Sequence, residues 1–315
     1  MENKVKLSVV VPVYNSEGTI GTLVEGLKKT LHPKMSYEII LVNDCSIDNS
    51  GSVCRMLANK DKSVKFINLS RNFGQSSAIL TGFRHTSGEY VMCIDDDMQN
   101  PPEEILNFVI EVEKGYDIVF ARYDSHKESP IRKILSKIND ALAMILVDKP
   151  RGLYLSSMFI ARRYVAREMS RYEGPFPNAV WLIFRITRNI GVVSATHKER
   201  VSGRSNYDFY KLLCLAINGY TNFSIKPLRM STLLGFSISL MGSAYAIFLI
   251  IRKISTPTVP LGWTSLIAAI LFIGGLNLMI IGMVGEYVGR TFLLLNRQPQ
   301  SVIKETVNIS SDDGE

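Results

Sequence analysis

The sequence predicts an α/β protein: a mostly parallel sheet with helices on both faces, followed by a C-terminal two-helix transmembrane hairpin. Two observations carry that expectation. Through the first 121 residues, short apolar runs alternate with segments of helical spacing, the pattern of β-α units that assemble a parallel sheet. Further on, residues 230–251 and 254–285 contain no charge, and a membrane-spanning helix needs about 20 apolar residues.

The elements follow in order. Residues 7–13 (LSVVVPV) form a continuous apolar run, as a strand buried on both faces should. Residues 19–31 place Ile20, Leu23, Val24 and Leu27 on one helix face. Residues 37–42 predict a second strand, closed by a polar turn at Asp44 and Ser46, and residues 50–58 a short helix. Strands at 64–69, 90–94 and 116–120 then alternate with helices at 76–85 and 103–114. In a sheet of this kind ligands bind beyond the carboxyl ends of the strands.

The first charge-free stretch supplies a span at 233–251. The second is interrupted by Pro257, Pro260 and Gly262, so its span is expected at 263–284. The net charge of +7 is unevenly placed: residues 1–121 carry 12 Lys+Arg against 16 Asp+Glu, residues 122–229 carry 19 against 8, and residues 230–315 carry 5 of each. Basic residues up to Arg229 and again at Arg290 and Arg297 flank the spans, so the positive-inside bias puts both termini in the cytoplasm. The polar start at residues 1–7 predicts no secretory signal. The resulting division is 1–206 globular, 207–229 an amphipathic juxtamembrane helix, 230–290 the hairpin and 291–315 a cytoplasmic tail. Four scattered cysteines and four histidines, without C-x-x-C or H-x-x-x-H spacing, argue against a disulfide framework and a zinc site. The absence of a G-x-G-x-x-G or Walker loop weighs against dinucleotide enzymes and P-loop NTPases.

The chemistry gathers at the strand ends. The fourth strand runs into Asp95, Asp96 and Asp97. Three adjacent carboxylates repel one another unless a cation sits among them, and their hard oxygens favour Mg²⁺ or Mn²⁺. Asp95 and Asp97, two apart, point the same way in extended backbone. Pro12, Tyr14, Asn15 and Glu17 end the first strand, Asn43, Asp44 and Asp48 follow the second, and 70–74 follow the third. Turn chemistry of that kind, converging on one sheet edge, suits a nucleoside.

The segments 9–15 (VVVPVYN), 41–44 (LVND), 69–74 (LSRNFG) and 95–102 (DDDMQNPP) resemble the family 2 inverting glycosyltransferases, and within them the polyprenyl-phosphate glycosyltransferases. The resemblance continues through Glu199, Arg200, Gly203, 205–207 (SNY), 226–229 (KPLR) and 285–290 (GEYVGR), and so covers nearly the whole chain. It implies a GT-A-type fold holding a nucleotide sugar, UDP-linked, and a divalent metal. By position, Asp95 and Asp97 would be catalytic, binding metal-diphosphate, with Gln99 completing the metal site. Pro12, Tyr14, Glu17, Asp44, Asp95 and Asp96 would hold the nucleotide, and Arg122, Arg132, Ser136, Arg200 and Ser205 the acceptor phosphate. Two departures stand out: the family's V-D-D turn is Asn43-Asp44 here, and residues 152–157 (GLYLSS) lack an acidic residue that many members carry.

A lipid phosphate is already anionic at neutral pH, so it needs positioning and charge compensation more than a base. The basic middle segment supplies these, with Arg132 and Ser136 four apart on one helical face. Apolar stripes at 131–146 and 209–223 beside basic flanks predict interfacial helices. Glu286 would be costly facing lipid and is expected to pair with Arg290 one turn on. The expected activity is inverting transfer of a sugar from a nucleotide donor to a polyprenyl phosphate, such as undecaprenyl phosphate, at the bacterial inner membrane, supplying lipid-linked sugar to cell-envelope glycans. Two alternatives are weaker. A processive polysaccharide synthase lacks its Q-x-x-R-W motif here, and a non-catalytic sugar-lipid-binding protein has no use for the D-x-D. Nucleic acid is not an expected partner, because no recognised motif accompanies the charge. Relatives form tetramers, so a homotetramer is expected by analogy.

Overall fold

The computed structural model describes residues 5–123, 144, 153, 155–196, 224–255, 262–296 and 298–309. Arg132, Ser136, Arg200, Ser205 and the two expected interfacial helices lie outside the described residues.

Eight strands form one sheet. They are β1 (Leu7–Val13), β2 (Tyr37–Asn43), β3 (Val64–Leu69), β4 (Tyr90–Cys93), β5 (Ile118–Tyr123), β6 (Phe159–Arg162), β7 (Ile190–Ala195) and β8 (Ile303–Val307), in the spatial order β7-β5-β6-β4-β1-β2-β3-β8. The strands β3, β2, β1 and β4 are mutually parallel. β6 runs antiparallel between β4 and β5, and β8 runs antiparallel along β3. The fold is thus the expected mostly parallel sheet, with two reversals that the sequence pattern did not suggest.

Helices cover both faces. On one side α1 (Ile20–Leu31), α2 (Ser50–Lys60) and α4 (Ile105–Glu113) bury Leu23, Leu27, Cys54 and Phe108 with the odd-numbered residues of β1. On the other, α3 (Gln75–Arg84), α5 (Arg163–Ser170) and α6 (Ala179–Ile186) bury Leu80, Val165 and Ile183 against Val10, Ile40 and Val42. Every residue of β1 is buried, which is why its apolar run does not alternate. Gly82 of α3 is where the helix meets the sheet most closely: a Cβ there would lie 2.4 Å from Val10 Cγ1.

Beyond β7 stand two long helices, α7 (Lys226–Ser255) and α8 (Trp263–Leu295). Tyr287 Oη of α8 donates to the Ser224 carbonyl just before α7, at 2.7 Å. One segment among the described residues, Phe272–Leu295, is long and apolar enough to cross a membrane, and 6% of it is buried. It begins and ends later than the expected span at 263–284. The anticipated Glu286–Arg290 pair is present at 2.5 Å, one helical turn apart.

Residues 298–309 return to the globular part, and β8 becomes an edge strand on β3. Polar ties explain the docking. Arg55 Nε donates to Glu305 Oε1 at 2.7 Å, Ser70 N to the Val302 carbonyl at 2.8 Å, and Thr81 Oγ1 to Ser301 Oγ at 2.7 Å. Asn308 Nδ2 donates to the Ala58 and Val64 carbonyls at 2.6 and 2.9 Å.

Candidate active site

Strand order reverses between β1 and β4: from β1 the chain builds outward through β2 to β3, then returns to place β4 on the other side. A crevice opens at such a point, beyond the carboxyl ends of the two strands. Pro12 helps to open it. Val10 accepts from Ile94 N, so Pro12, two residues on, also turns its nitrogen toward β4, but β4 has ended at Cys93. The proline therefore costs no ladder bond and lets the strands diverge.

The acidic triplet sits at this crevice and its members differ. Asp96 is tied to the β1 end: its Oδ2 accepts from Tyr14 N at 2.9 Å and from Ser16 Oγ, and its carbonyl accepts from Thr19 Oγ1 at 2.7 Å. Burial pushes its carboxyl up, against the pull of the Ser16 and Tyr14 donors, and Asp97 adds to the rise. Asp95 instead meets side chains: Gln75 Nε2 donates to Oδ1 at 2.7 Å and Ser157 Oγ donates to Oδ2. Asp97 Oδ1 accepts from Gln99 N at 3.1 Å, closing a turn around Met98.

Asp44 is almost wholly buried, and both its oxygens accept backbone amides, from Phe73 at 2.7 Å and Gly74 at 2.8 Å. Desolvation raises its pKa while those amides lower it. It thereby fixes the 70–74 loop beside the crevice, a bracing task alongside any contact with a nucleoside. Asn43 takes the family's other acidic position, and its Oδ1 accepts from Ser46 Oγ while its Nδ2 donates to Asn68. Glu17 Oε2 accepts from Asn49 N at 2.9 Å, and Asn15 Oδ1 from Ile47 N at 3.0 Å, so the loops after β1 and β2 are stitched together. Asn15, Cys45 and Met98 have φ of 55°, 55° and 61°. Left-handed backbone at non-glycine residues costs roughly 1 kcal/mol or more and clusters at functional sites. Here the three lie just past β1, β2 and β4.

Arg122 is exposed at the carboxyl end of β5, on the same sheet edge and separated from β4 by β6. Its neighbour Tyr123 donates from Oη to Asn100 Oδ1 at 2.7 Å, linking that strand to the loop after the triplet. The structure thus brings Pro12, Tyr14, Glu17, Asp44, Asp95, Asp96, Asp97, Gln99 and Arg122 to one edge. Gln75 and Ser157 complete the surroundings of Asp95. Ser157 lies in the stretch that lacks the family's acidic residue. Burial pushes the Cys54 thiol up to about 12 and raises Cys93 as well, so neither is a nucleophile at neutral pH.

A divalent metal fits the donor set. Asp95 and Asp97 offer hard carboxylate oxygens, and no three His, Cys, Asp or Glu side chains converge among the described residues. A cation would take one or two carboxylates and complete its shell with substrate phosphate and water, as Mg²⁺ does.

The model of the family described as glycosyl transferase family 2 matches residues 8–170, which include every described residue of the crevice. The chain belongs to glycosyltransferase family 2. It is 32% identical over 317 residues to a glycosyltransferase of Bacillus subtilis called YkcC, covering 99% of this chain and 97% of that one. It is 33% identical to the undecaprenyl-phosphate 4-deoxy-4-formamido-L-arabinose transferase of Proteus mirabilis, covering 96% and 94%. Among solved structures it is similar to glucosyl-3-phosphoglycerate synthase of Mycobacterium tuberculosis, solved with Mn²⁺, UDP-glucose and phosphoglyceric acid. That match has a TM-score of 0.52 at 17% identity and covers 69% of this chain and 78% of the other, so it shows a shared fold. The glycosyltransferase thus carries its family's crevice on an eight-stranded sheet closed by a strand from its own C-terminus.

Proposed function

We propose that this glycosyltransferase moves a sugar, with inversion, from a UDP-linked donor to a polyprenyl phosphate at the cytoplasmic face of the bacterial inner membrane. The observation that carries this reading is the presence, in one chain, of the D-x-D crevice at the β1/β4 switch and of an apolar helix that could cross a membrane. The undecaprenyl-phosphate transferase of Proteus mirabilis, alike over nearly its whole length, supports the acceptor class.

In this reading the crevice walls hold the nucleoside through Pro12, Tyr14, Glu17 and Asp96, beside the 70–74 loop that Asp44 braces. Asp95 and Asp97, with Gln99, hold Mg²⁺ or Mn²⁺; when bound, the cation would offset the charge of the departing diphosphate. Gln75 and Ser157 orient Asp95. Arg122, together with Arg132, Ser136, Arg200 and Ser205, compensates the acceptor phosphate, whose oxygen attacks the anomeric carbon opposite the leaving group. The apolar helices anchor the protein in the bilayer and so hold the crevice near the surface where the acceptor's phosphate lies.

The test is to incubate the full-length protein in nanodiscs with undecaprenyl phosphate and a panel of nucleotide sugars, and to identify the lipid product by mass spectrometry. Nucleotide release that needs both the metal and the lipid phosphate, with one sugar added per lipid, is the expected result. Release without any lipid phosphate, or a growing polysaccharide, would overturn the reading.

A further inference from the structure

Residues 298–309 form a strap that reaches the sheet from α8 by a short path. The helix ends at Leu295 with Asn296 as its cap. Six residues beyond that cap, the carbonyl of Val302 accepts from Ser70 N at 2.8 Å. Six residues span at most about 22 Å even when fully extended. Ser70 opens the 70–74 loop that Asp44 braces beside the crevice. The crevice edge is thus tied within that reach to the end of the apolar segment Phe272–Leu295. We propose that Gln300, Ser301 and Val302 are positioning residues for the acceptor, holding the open edge of the crevice at the height of a lipid phosphate on the membrane surface. The proposal rests on the reading that α8 crosses the bilayer and that the acceptor is a polyprenyl phosphate embedded there.

The path has little slack. Pro299 fixes its own φ and disfavours helical backbone at Gln298. Three consecutive residues then fasten to different parts of the globular side. Gln300 uses both ends of its amide: Nε2 donates to the Gly174 carbonyl, in the loop after α5, at 2.8 Å, and Oε1 accepts from Arg84 Nη2, at the end of α3, at 3.3 Å. Ser301 Oγ accepts from Thr81 Oγ1 of α3 at 2.7 Å, and Thr81 is 1% exposed, so water hardly competes for that bond. Val302 holds Ser70. The helix gripped in this way is the one whose first residue, Gln75, donates to Asp95.

The place of these fastenings separates them from the rest of the strap. The ladder with β3, the Arg55–Glu305 pair and the Asn308 ties all lie further along, at 303–308, and stabilise an edge strand. Residues 300–302 lie at the carboxyl edge of the sheet, because β8 runs antiparallel to β3 and enters beside Leu69. Height matters there for one kind of acceptor only. A long prenyl chain stays in the hydrocarbon and keeps its phosphate at the boundary with water, so the crevice has to be held at that level. A phosphate that diffuses freely in water reaches the crevice at any height.

The experiment lengthens the path and compares the two kinds of acceptor. Gly-Ser-Gly-Ser inserted between Gln298 and Pro299 of the full-length protein adds at most about 14 Å of reach and leaves every fastening residue in place. Transfer is measured in liposomes that hold undecaprenyl phosphate, and in liposomes without it to which water-soluble dimethylallyl phosphate is added. Relative to wild type, the insertion should slow transfer to the membrane lipid about tenfold. Its rate with the soluble phosphate, its KM for the nucleotide sugar and its melting temperature should stay as in the wild type. Gln300→Ala/Ser301→Ala should act in the same direction by about threefold, while Ser301→Thr, which keeps the hydroxyl, should behave as the wild type does. An insertion variant that serves the membrane lipid at the wild-type rate would overturn the proposal. So would an equal loss toward both acceptors, which would make the fastenings part of the fold alone. Wild-type protein that labels neither acceptor would sink the acceptor reading, and this proposal with it, before any variant is compared.

Discussion

The sheet and the two long helices use the same aliphatic residues under opposite rules. In the sheet, Val9, Val10, Ile39, Ile40 and Leu41 have no exposed surface at all. On α7 and α8, Leu233, Phe236, Leu278 and Leu295 are 67%, 68%, 73% and 74% exposed. Soluble proteins seldom leave contiguous apolar surface of that extent facing water. The first region lies in a packed core, and within the second the segment Phe272–Leu295 is long and apolar enough to cross a membrane. The strap at 298–309 makes the comparison sharper. It comes after the helices in sequence, yet its strand pairs with β3 of the sheet.

One polar substitution applied to each region should act through different observables. Val10→Asp would strand a carboxylate between α3 and the sheet at a cost of several kcal/mol, and should abolish accumulation of folded protein. Leu278→Asp should leave the melting of the sheet domain within a degree or two. It should instead weaken membrane integration by about 3 kcal/mol, read as a larger fraction extracted by carbonate. A Leu278→Asp protein that loses its sheet while keeping its membrane fraction would break the comparison.

Removing the strap is the next largest effect. Ending the chain at Asn296 removes the β3–β8 ladder and the Arg55–Glu305 and Asn308 ties, and should cost roughly 2–4 kcal/mol by denaturant titration. A truncated chain as stable as the whole would mean that the strap is a tail after all. Within it, Asn308→Ala should cost roughly 1–2 kcal/mol: the amide's carbonyl partners lose a donor, and φ of 60° suits asparagine better than alanine.

How much of this was legible beforehand divides along the same lines. From Leu7 to Phe120 the sequence announces nearly every strand and helix, because each is a local apolar run punctuated by turn residues. β6 is four residues long and takes its place between β4 and β5 by non-local pairing, which no period betrays. β8 reads IKETV, with charged and polar side chains that suggest a solvated tail; it is an exposed edge, where such residues belong. The carboxylates of the crevice were visible as a motif. The partners of Asp95 were not, since Gln75 and Ser157 reach it from 20 and 62 residues away. The donors that set Asp96 apart from its neighbours likewise come from the turn at Tyr14 and Ser16.

The smallest effect is electrostatic and lies on the sheet side alone. The Lys28 ammonium hydrogen-bonds Asp61 and, with the Ser63 donors, holds its carboxyl at about 2 against some desolvation. A depressed carboxyl stabilises the fold above the unfolded value of about 3.9, and that contribution is lost as pH falls through about 2. The pair is about a third exposed, so solvent screening discounts its worth to under about 1 kcal/mol. Asp61→Asn should lower the melting temperature slightly at pH 6, and the difference from wild type should vanish by pH 2.

The central claim is that the crevice between β1 and β4 transfers sugar to a membrane lipid's phosphate. The most direct measurement is single-turnover transfer of radiolabelled sugar into the lipid phase by wild type and Asp95→Asn, in liposomes with undecaprenyl phosphate and Mg²⁺. The account predicts lipid-borne label from the wild type and a rate at least about 100-fold lower from the variant, with both proteins melting within a few degrees of each other. An Asp95→Asn protein that labels the lipid at the wild-type rate would contradict it.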